Sequence, residues 1–213
     1  LIVITICILV RLSSITKQEL RLEREMKNRS EYRYERLKQQ INPHFLFNSL
    51  GILDYLVQEQ ESERASAFIH KLAGIYRYML SNDQKPLVKL SEELDFTNKY
   101  IDLLKERFTE GLLYEIDDSV QELETDVVPC ALQLLVENAT KHNIVSAESP
   151  LVVRISTDDG WIVVRNNLQL RIHGQPSTHL GLENIHRQYL DIAGRGIVVE
   201  KSSTEFIVKL PII

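Results

Sequence analysis

The sequence predicts an α+β protein: a long-helix hairpin in the N-terminal half, then an α/β sandwich with a mainly antiparallel sheet. Three observations carry this. Residues 15–60 hold one proline, Pro43, and no glycine before Gly51, in a stretch rich in Glu, Lys, Arg, Gln and Leu, all good helix formers. From residue 40 to about 108, apolar residues recur at three- and four-residue steps, the period of an amphipathic helix. After Gly111, short strand-like runs alternate irregularly with helical stretches, as expected where a sheet packs against helices.

The first ten residues, LIVITICILV, are apolar almost throughout. A stretch of that length does not cross a bilayer, which takes roughly 20 residues, and no basic stretch precedes it as in a signal peptide. Residues 1–12 therefore read as the end of a truncated transmembrane helix. From Arg11 to Lys38, nine Lys or Arg stand against five Glu, a net of +4 in a chain of net charge -5. A basic excess beside a membrane span marks the cytoplasmic side. The expectation is a chain attached to the inner membrane and facing the cytoplasm, with 13–38 as a membrane-proximal linker helix.

The helix continues through residue 60 with a bend near Pro43, because proline removes a backbone hydrogen bond and crowds the preceding turn. Ile41, Phe45, Leu46, Leu50, Leu53 and Leu56 give it a dense apolar face. A second helical stretch covers about 62–81, with Phe68, Leu72, Ile75, Tyr76 and Met79 on one face, and Asn82–Pro86 breaks it. Ser91 is the expected cap of a third helix, Glu92–Phe108, whose acidic first turn suits the helix dipole. These stripes suit an antiparallel hairpin able to pair into a bundle, so 39–110 form one helical region. The boundary falls near 109–111, and 111–213 form the second domain. There Leu112–Ile116 reads as a strand and Pro129–His142 as a helix with proline near its start. Leu151–Thr157 and Trp161–Asn166 flank Asp158-Asp159-Gly160 as a hairpin. A helix at about 182–192 and a second hairpin, Ile197–Lys201 with Glu205–Leu210, close the chain.

Several classes are excluded. The acidic balance gives no reason to expect direct nucleic-acid binding. Cys7 and Cys130 form neither a disulfide framework nor a zinc set, which fits a reducing compartment. There is no GxxxxGK[ST] loop, no metal-ligand spacing and no Ser/His/Asp arrangement.

Three segments are hard to explain by packing: Gln39-Gln-Ile-Asn-Pro-His-Phe-Leu-Phe-Asn-Ser-Leu50, Leu132-Gln-Leu-Leu-Val-Glu-Asn-Ala-Thr-Lys-His142 and Leu180-Gly-Leu-Glu-Asn-Ile-His186. In these segments the chain resembles the LytS-type sensor histidine kinases, over roughly residues 35–213. The first segment is highly specific, the second moderately so, and the third is weak alone. The resemblance implies a dimeric four-helix bundle built from the hairpins of two chains. An ATP-binding sandwich of the gyrase/Hsp90/histidine-kinase type would follow. It also implies that His44 accepts the γ-phosphoryl group of ATP and passes it to an aspartate of a response regulator of LytTR type.

The residues suit that chemistry. Imidazole is a nucleophile near neutral pH because one ring nitrogen is unprotonated. A bend at Pro43 would ease the approach of a nucleotide-bearing domain. Gln40 and Asn48, four residues to either side, share the face of His44 and are placed to orient its ring. Many histidine kinases carry an acidic general base directly after the histidine; here that position is Phe45, as in the LytS-like group, and the base stays unassigned. By resemblance Asn138 would ligate Mg²⁺ bridging the ATP phosphates, and an amide oxygen suits that hard cation. Lys141 would contact phosphate, with His142 in the same cleft. Glu137 would hold a metal-bound water or accept a proton. Leu134 stands where related ATPases carry a polar residue, so hydrolysis of free ATP should be poor. Asn166 takes the place of the aspartate that reads adenine; its carbonyl still accepts, with less charge behind the bond. Residues 169–180 would form a lid, and Gly181, with Leu182, would let backbone amides approach phosphate. His70, His173, His179 and His186 read as exposed or structural. Two rival readings stay open. One is a degenerate kinase that signals by nucleotide-modulated dimer rearrangement; the other is an ATPase or protein serine kinase of the same nucleotide fold.

Overall fold

The structure is a computed structural model and describes residues 43–82, 85–170 and 180–213. The expected membrane segment, the linker helix, Gln40 and most of the expected lid lie outside the described residues. The chain divides into two units, Leu1–Asn48 and Ser49–Ile213.

Helix α1 spans Pro43–Gln58. In its first-unit part Phe45 is buried, Leu46 and Asn48 are half-buried and Phe47 is exposed. In its second-unit part Ser49 and Leu56 are buried. The helix ends in a closed turn. Gln60 takes a φ of 60°, the Gln60 N–H donates to the Val57 carbonyl at 3.1 Å and the Glu61 N–H to the Leu56 carbonyl at 2.9 Å. That paired pattern satisfies two carbonyls the helix end would leave open. Helix α2, Ser62–Asn82, buries Ala65, Phe68 and Ile75, three- and seven-residue steps that trace one face.

Strand β1, Val88–Lys89, pairs antiparallel with β3, Asp126–Val127, and leads straight into α3, Leu90–Phe108. This corrects the expected start. Ser91 lies inside the helix, and Lys89 occupies the N-cap without a side-chain hydrogen bond. The β1–β3 pairing holds Lys89 extended and brings the Thr125 carbonyl to within 2.9 Å of the Leu90 N–H. A backbone partner from a distant strand thus replaces the local serine cap. A short 3-10 turn, Thr109–Gly111, carries α3 into strand β2, Leu112–Ile116.

The remaining elements are α4 (Asp118–Gln121), α5 (Ala131–His142), β4 (Leu151–Asp158), β5 (Trp161–Asn167), α6 (Leu180–Ala193), β6 (Val198–Lys201) and β7 (Glu205–Pro211). The sheet order is β2-β4-β5-β7-β6. The β2–β4 pairing is parallel, while β4–β5, β5–β7 and β6–β7 are antiparallel. The sheet is therefore mixed and mainly antiparallel. Asp159 and Gly160 turn β4 into β5 with φ of 38° and 80°, the left-handed pair that a tight hairpin requires.

Alternation along the strands decides the core. Leu151, Val153 and Ile155 of β4, Ile162, Val164 and Asn166 of β5, and Val208 and Leu210 of β7 are buried. Leu113, Glu115, Arg154 and Arg165 on the opposite face are exposed, so one face of the sheet carries the helices. Helix α5 packs on β4, β5 and α3, and α6 packs on β7. Helices α2 and α3 thus belong to the same unit as the sheet.

Candidate functional site

Helix α5 is the element on which most of the expected site residues sit, and its two ends are built differently. Its start follows Cys130, which holds a φ of 61° and gives no side-chain cap. The cap comes from α3. Glu93 is fully buried; its Oε2 accepts from the Cys130 N–H at 3.0 Å and its Oε1 from the Leu132 N–H at 3.1 Å. The Tyr78 hydroxyl, from α2, donates to the same Oε2 at 3.0 Å, and the Tyr78 ring stacks on Phe96 at 4.1 Å. Burial pushes the Glu93 carboxyl up, and against the opposing pull of the donors from Cys130, Tyr78, Leu132 and Gln133 it stands at about 7. A carboxylate at a helix N-terminus also meets the positive end of the helix dipole. Nearby, the Val128 N–H donates to the Tyr189 hydroxyl of α6 at 3.4 Å.

The other end is polar. Leu132, Leu135, Val136 and Ala139 face the core. Glu137 and Asn138 are half-buried, Lys141 is exposed and His142 half-buried. Gln133 Nε2 donates to Glu137 Oε2 at 2.9 Å, which fixes that carboxylate one turn along the helix. Buried Asn143 closes the helix: its Nδ2 donates to the Ala139 carbonyl at 2.9 Å and its Oδ1 accepts from the Gln169 N–H at 2.7 Å. The segment after β5 is thereby clamped to the end of α5.

Two other expected residues lie in this unit. Asn166 is buried on the helix-bearing face of β5, paired with Val153 and Phe206. Its Nδ2 donates to the Asn167 carbonyl at 2.6 Å, which leaves Oδ1 as the acceptor. Gly181 opens α6 against α5, where an added Cβ would stand 2.9 Å from Leu134 Cδ1. Leu134 and Gly181 thus form a close packing pair that brings the start of α6, with half-buried Leu182, beside the middle of α5. His44 is the second residue of α1 and Asn48 follows one turn later. Of the other histidines, His70 Nδ1 lies 2.8 Å from the Ser66 carbonyl and His186 Nδ1 3.1 Å from the Ile197 carbonyl, both local contacts.

The residues fit a hard cation in one limited sense. Asn138 and Glu137 offer an amide and a carboxylate oxygen, and among the described residues no three His, Cys, Asp or Glu side chains converge. An ion there would draw its remaining ligands from phosphate and water, the usual habit of Mg²⁺.

Sequence reasoning missed Glu93 and Tyr78. A signal was available: the buried stripe of α3 runs Leu90, Leu94, Thr97, Ile101, Leu104, and Glu93 falls within it. An acidic residue on a core-facing stripe calls for buried donors. By sequence, Glu93 counts only among the first-turn acids that suit the helix dipole.

A family model described as histidine kinase matches residues 32–112. The sensor protein LytS of Staphylococcus haemolyticus is 30% identical over 190 residues, 79% of this chain and 32% of that protein. The sensor histidine kinase YpdA of Escherichia coli is 28% identical over 212 residues, 90% of this chain and 36% of that protein. The chain thus spans about a third of the length of these relatives. Among solved structures, the catalytic domain of histidine kinase ThkA overlaps 59% of the chain at 14% identity with a TM-score of 0.43. His44 lies inside the matched segment, and the chain is similar along most of its length to these sensor proteins.

Proposed function

We propose that this chain is the signalling core of a two-component sensor histidine kinase, which moves the γ-phosphoryl group of ATP to a ring nitrogen of His44 and then to an aspartate of a response regulator. The observation that carries the reading is the placement of His44 on α1 within the segment matched to the histidine kinases. Downstream, α5 supports it with Asn138, Lys141 and His142 on its polar end.

In this reading the imidazole of His44 attacks the γ-phosphorus, and the bond to the β-phosphate oxygen breaks to release ADP. Lys141 offsets phosphate charge, so catalysis is mainly positioning and charge neutralisation. Asn138 would hold Mg²⁺ together with the nucleotide phosphates; when bound, that ion neutralises phosphate charge. Asn48 and Gln40 orient the imidazole, and Glu137 holds a water or takes a proton. Asn166 accepts from the adenine amino group, and Gly181 and Leu182 line the phosphate side. The hairpin helices of two chains form a four-helix bundle, supported by the exposure of Phe47, Leu50, Tyr55 and Val57 on α1 and of Ile69 and Leu80 on α2. The regulator is of LytTR type, and residues 1–12 tether the chain to the inner membrane, this portion facing the cytoplasm. No helix among the described residues is long and apolar enough to cross a membrane.

Incubation with γ-labelled ATP and Mg²⁺ tests the reading. Wild type should gain acid-labile, alkali-stable phosphate, and His44→Gln should gain none. Label persisting in His44→Gln would sink the acceptor assignment. Acid-stable label on serine or threonine would instead identify a protein serine kinase, and no label at high nucleotide would identify a degenerate kinase.

A further inference from the structure

The Glu93 carboxylate is fully buried, and nothing in the proposed reaction uses it. Burying an acidic side chain is costly unless donors converge on it. Here those donors come from two other elements: α5, through the N–H groups of Cys130 and Leu132, and α2, through the Tyr78 hydroxyl. Glu93 therefore ties three helices at one point, and that point is the start of the helix that carries Asn138 and Lys141. A 3.0 Å hydrogen bond weakens steeply when its partners separate or tilt, so a shift of α2 against α3 would act on the carboxylate directly. Asn138 lies eight residues beyond Cys130, about 12 Å along the helix, so a small tilt at the cap is carried to the phosphate-facing end.

We propose that Glu93 is a positioning residue for nucleotide binding: it pins the first turn of α5, and through Tyr78 it sets that turn by the place of the hairpin helix α2. Movement of the hairpin then changes nucleotide affinity at Asn138 and Lys141. This rests on the reading of those two residues as nucleotide contacts. Losing a purely stabilising cap would lower the melting temperature and leave the affinity of folded molecules unchanged.

The test is calorimetric binding of ATP with Mg²⁺ to the whole chain, wild type and variants, with the rate of His44 phosphorylation measured in parallel. Asn138→Ala, the control for the site, should weaken binding about 100-fold or more. Glu93→Gln keeps the shape but turns a donor toward Cys130 or Tyr78; it should weaken binding about tenfold, and Tyr78→Phe about threefold. In both, the phosphorylation rate at saturating ATP should return close to wild type, so that the change sits in KM and not in kcat. Amide exchange at Cys130 and Leu132 should quicken in Glu93→Gln. Wild-type affinity in both Glu93→Gln and Tyr78→Phe, with Asn138→Ala impaired, would overturn the positioning role and leave the nucleotide site standing. Wild-type affinity in Asn138→Ala would overturn the site itself, and with it the role given to Glu93. Should Glu93→Gln fail to fold, Tyr78→Phe decides alone, because it keeps the carboxylate and the ring over Phe96; unchanged affinity there overturns the proposal.

Discussion

Helices α3 and α5 bury their apolar faces within this chain, whereas α1 and α2 leave large apolar side chains in solvent. Leu132 and Val136 of α5 have no exposed surface, and Leu103 of α3 is 1% exposed. Phe47, Tyr55 and Val57 of α1 are 70%, 59% and 60% exposed, and Leu80 of α2 is 54% exposed. Fully burying one such side chain contributes about 1.5–3 kcal/mol. The sheet-backed helices therefore owe their position to their own chain, and the hairpin helices carry apolar surface that association would cover.

The comparison breaks most readily at the buried side. Leu132→Ala should lower stability by about 3 kcal/mol, read as a shift of the urea midpoint with unchanged slope; a shift near zero would mean that α5 is not held by its core face. On the exposed side, Phe47→Ser combined with Leu50→Ser should weaken self-association about tenfold or more, seen by sedimentation equilibrium. The urea midpoint of the dissociated chain should hardly move. Unchanged self-association would remove α1 from the dimer surface. The pH dependence sharpens the link between the regions. The Glu93 carboxyl is raised from 4.5 to about 7, so its protonated form favours the folded state. Its contribution is fully present below pH 4.5, declines as pH rises toward 7 and is flat above that. Stability should therefore slope downward across that window by at most about 1.4 kcal/mol per pH unit from this group. Glu93→Gln should remove that part of the slope; an identical pH profile in the variant would show that the group does not titrate there.

Much of the fold was legible because its signals are local. The strand Leu112–Ile116 was placed to the residue, and the 62–81 helix and the Asp158–Gly160 hairpin to within a residue or two. Each rests on a period or a turn pair written in adjacent positions. The start of α3 was misjudged because Ser91 resembles a cap, while the partner that matters, the Thr125 carbonyl, arrives through the β1–β3 pairing. Of the candidate site, the sequence pattern grouped Asn138, Lys141 and His142 on one helix end. It did not show that Gly181 lies against Leu134, because 47 positions, including strands β4 and β5, separate the two.

The Glu93 cap marks the same division most clearly. By itself, the sequence determined the longer elements and their order and offered candidate residues for phosphoryl chemistry, because helical and strand periods and short motifs are properties of neighbouring residues. Only the tertiary structure decided what holds α5 in place. Glu93 lies 37 and 39 positions from the amides it caps, and such a pairing exists only once α3 and α5 have packed and excluded water from the carboxylate.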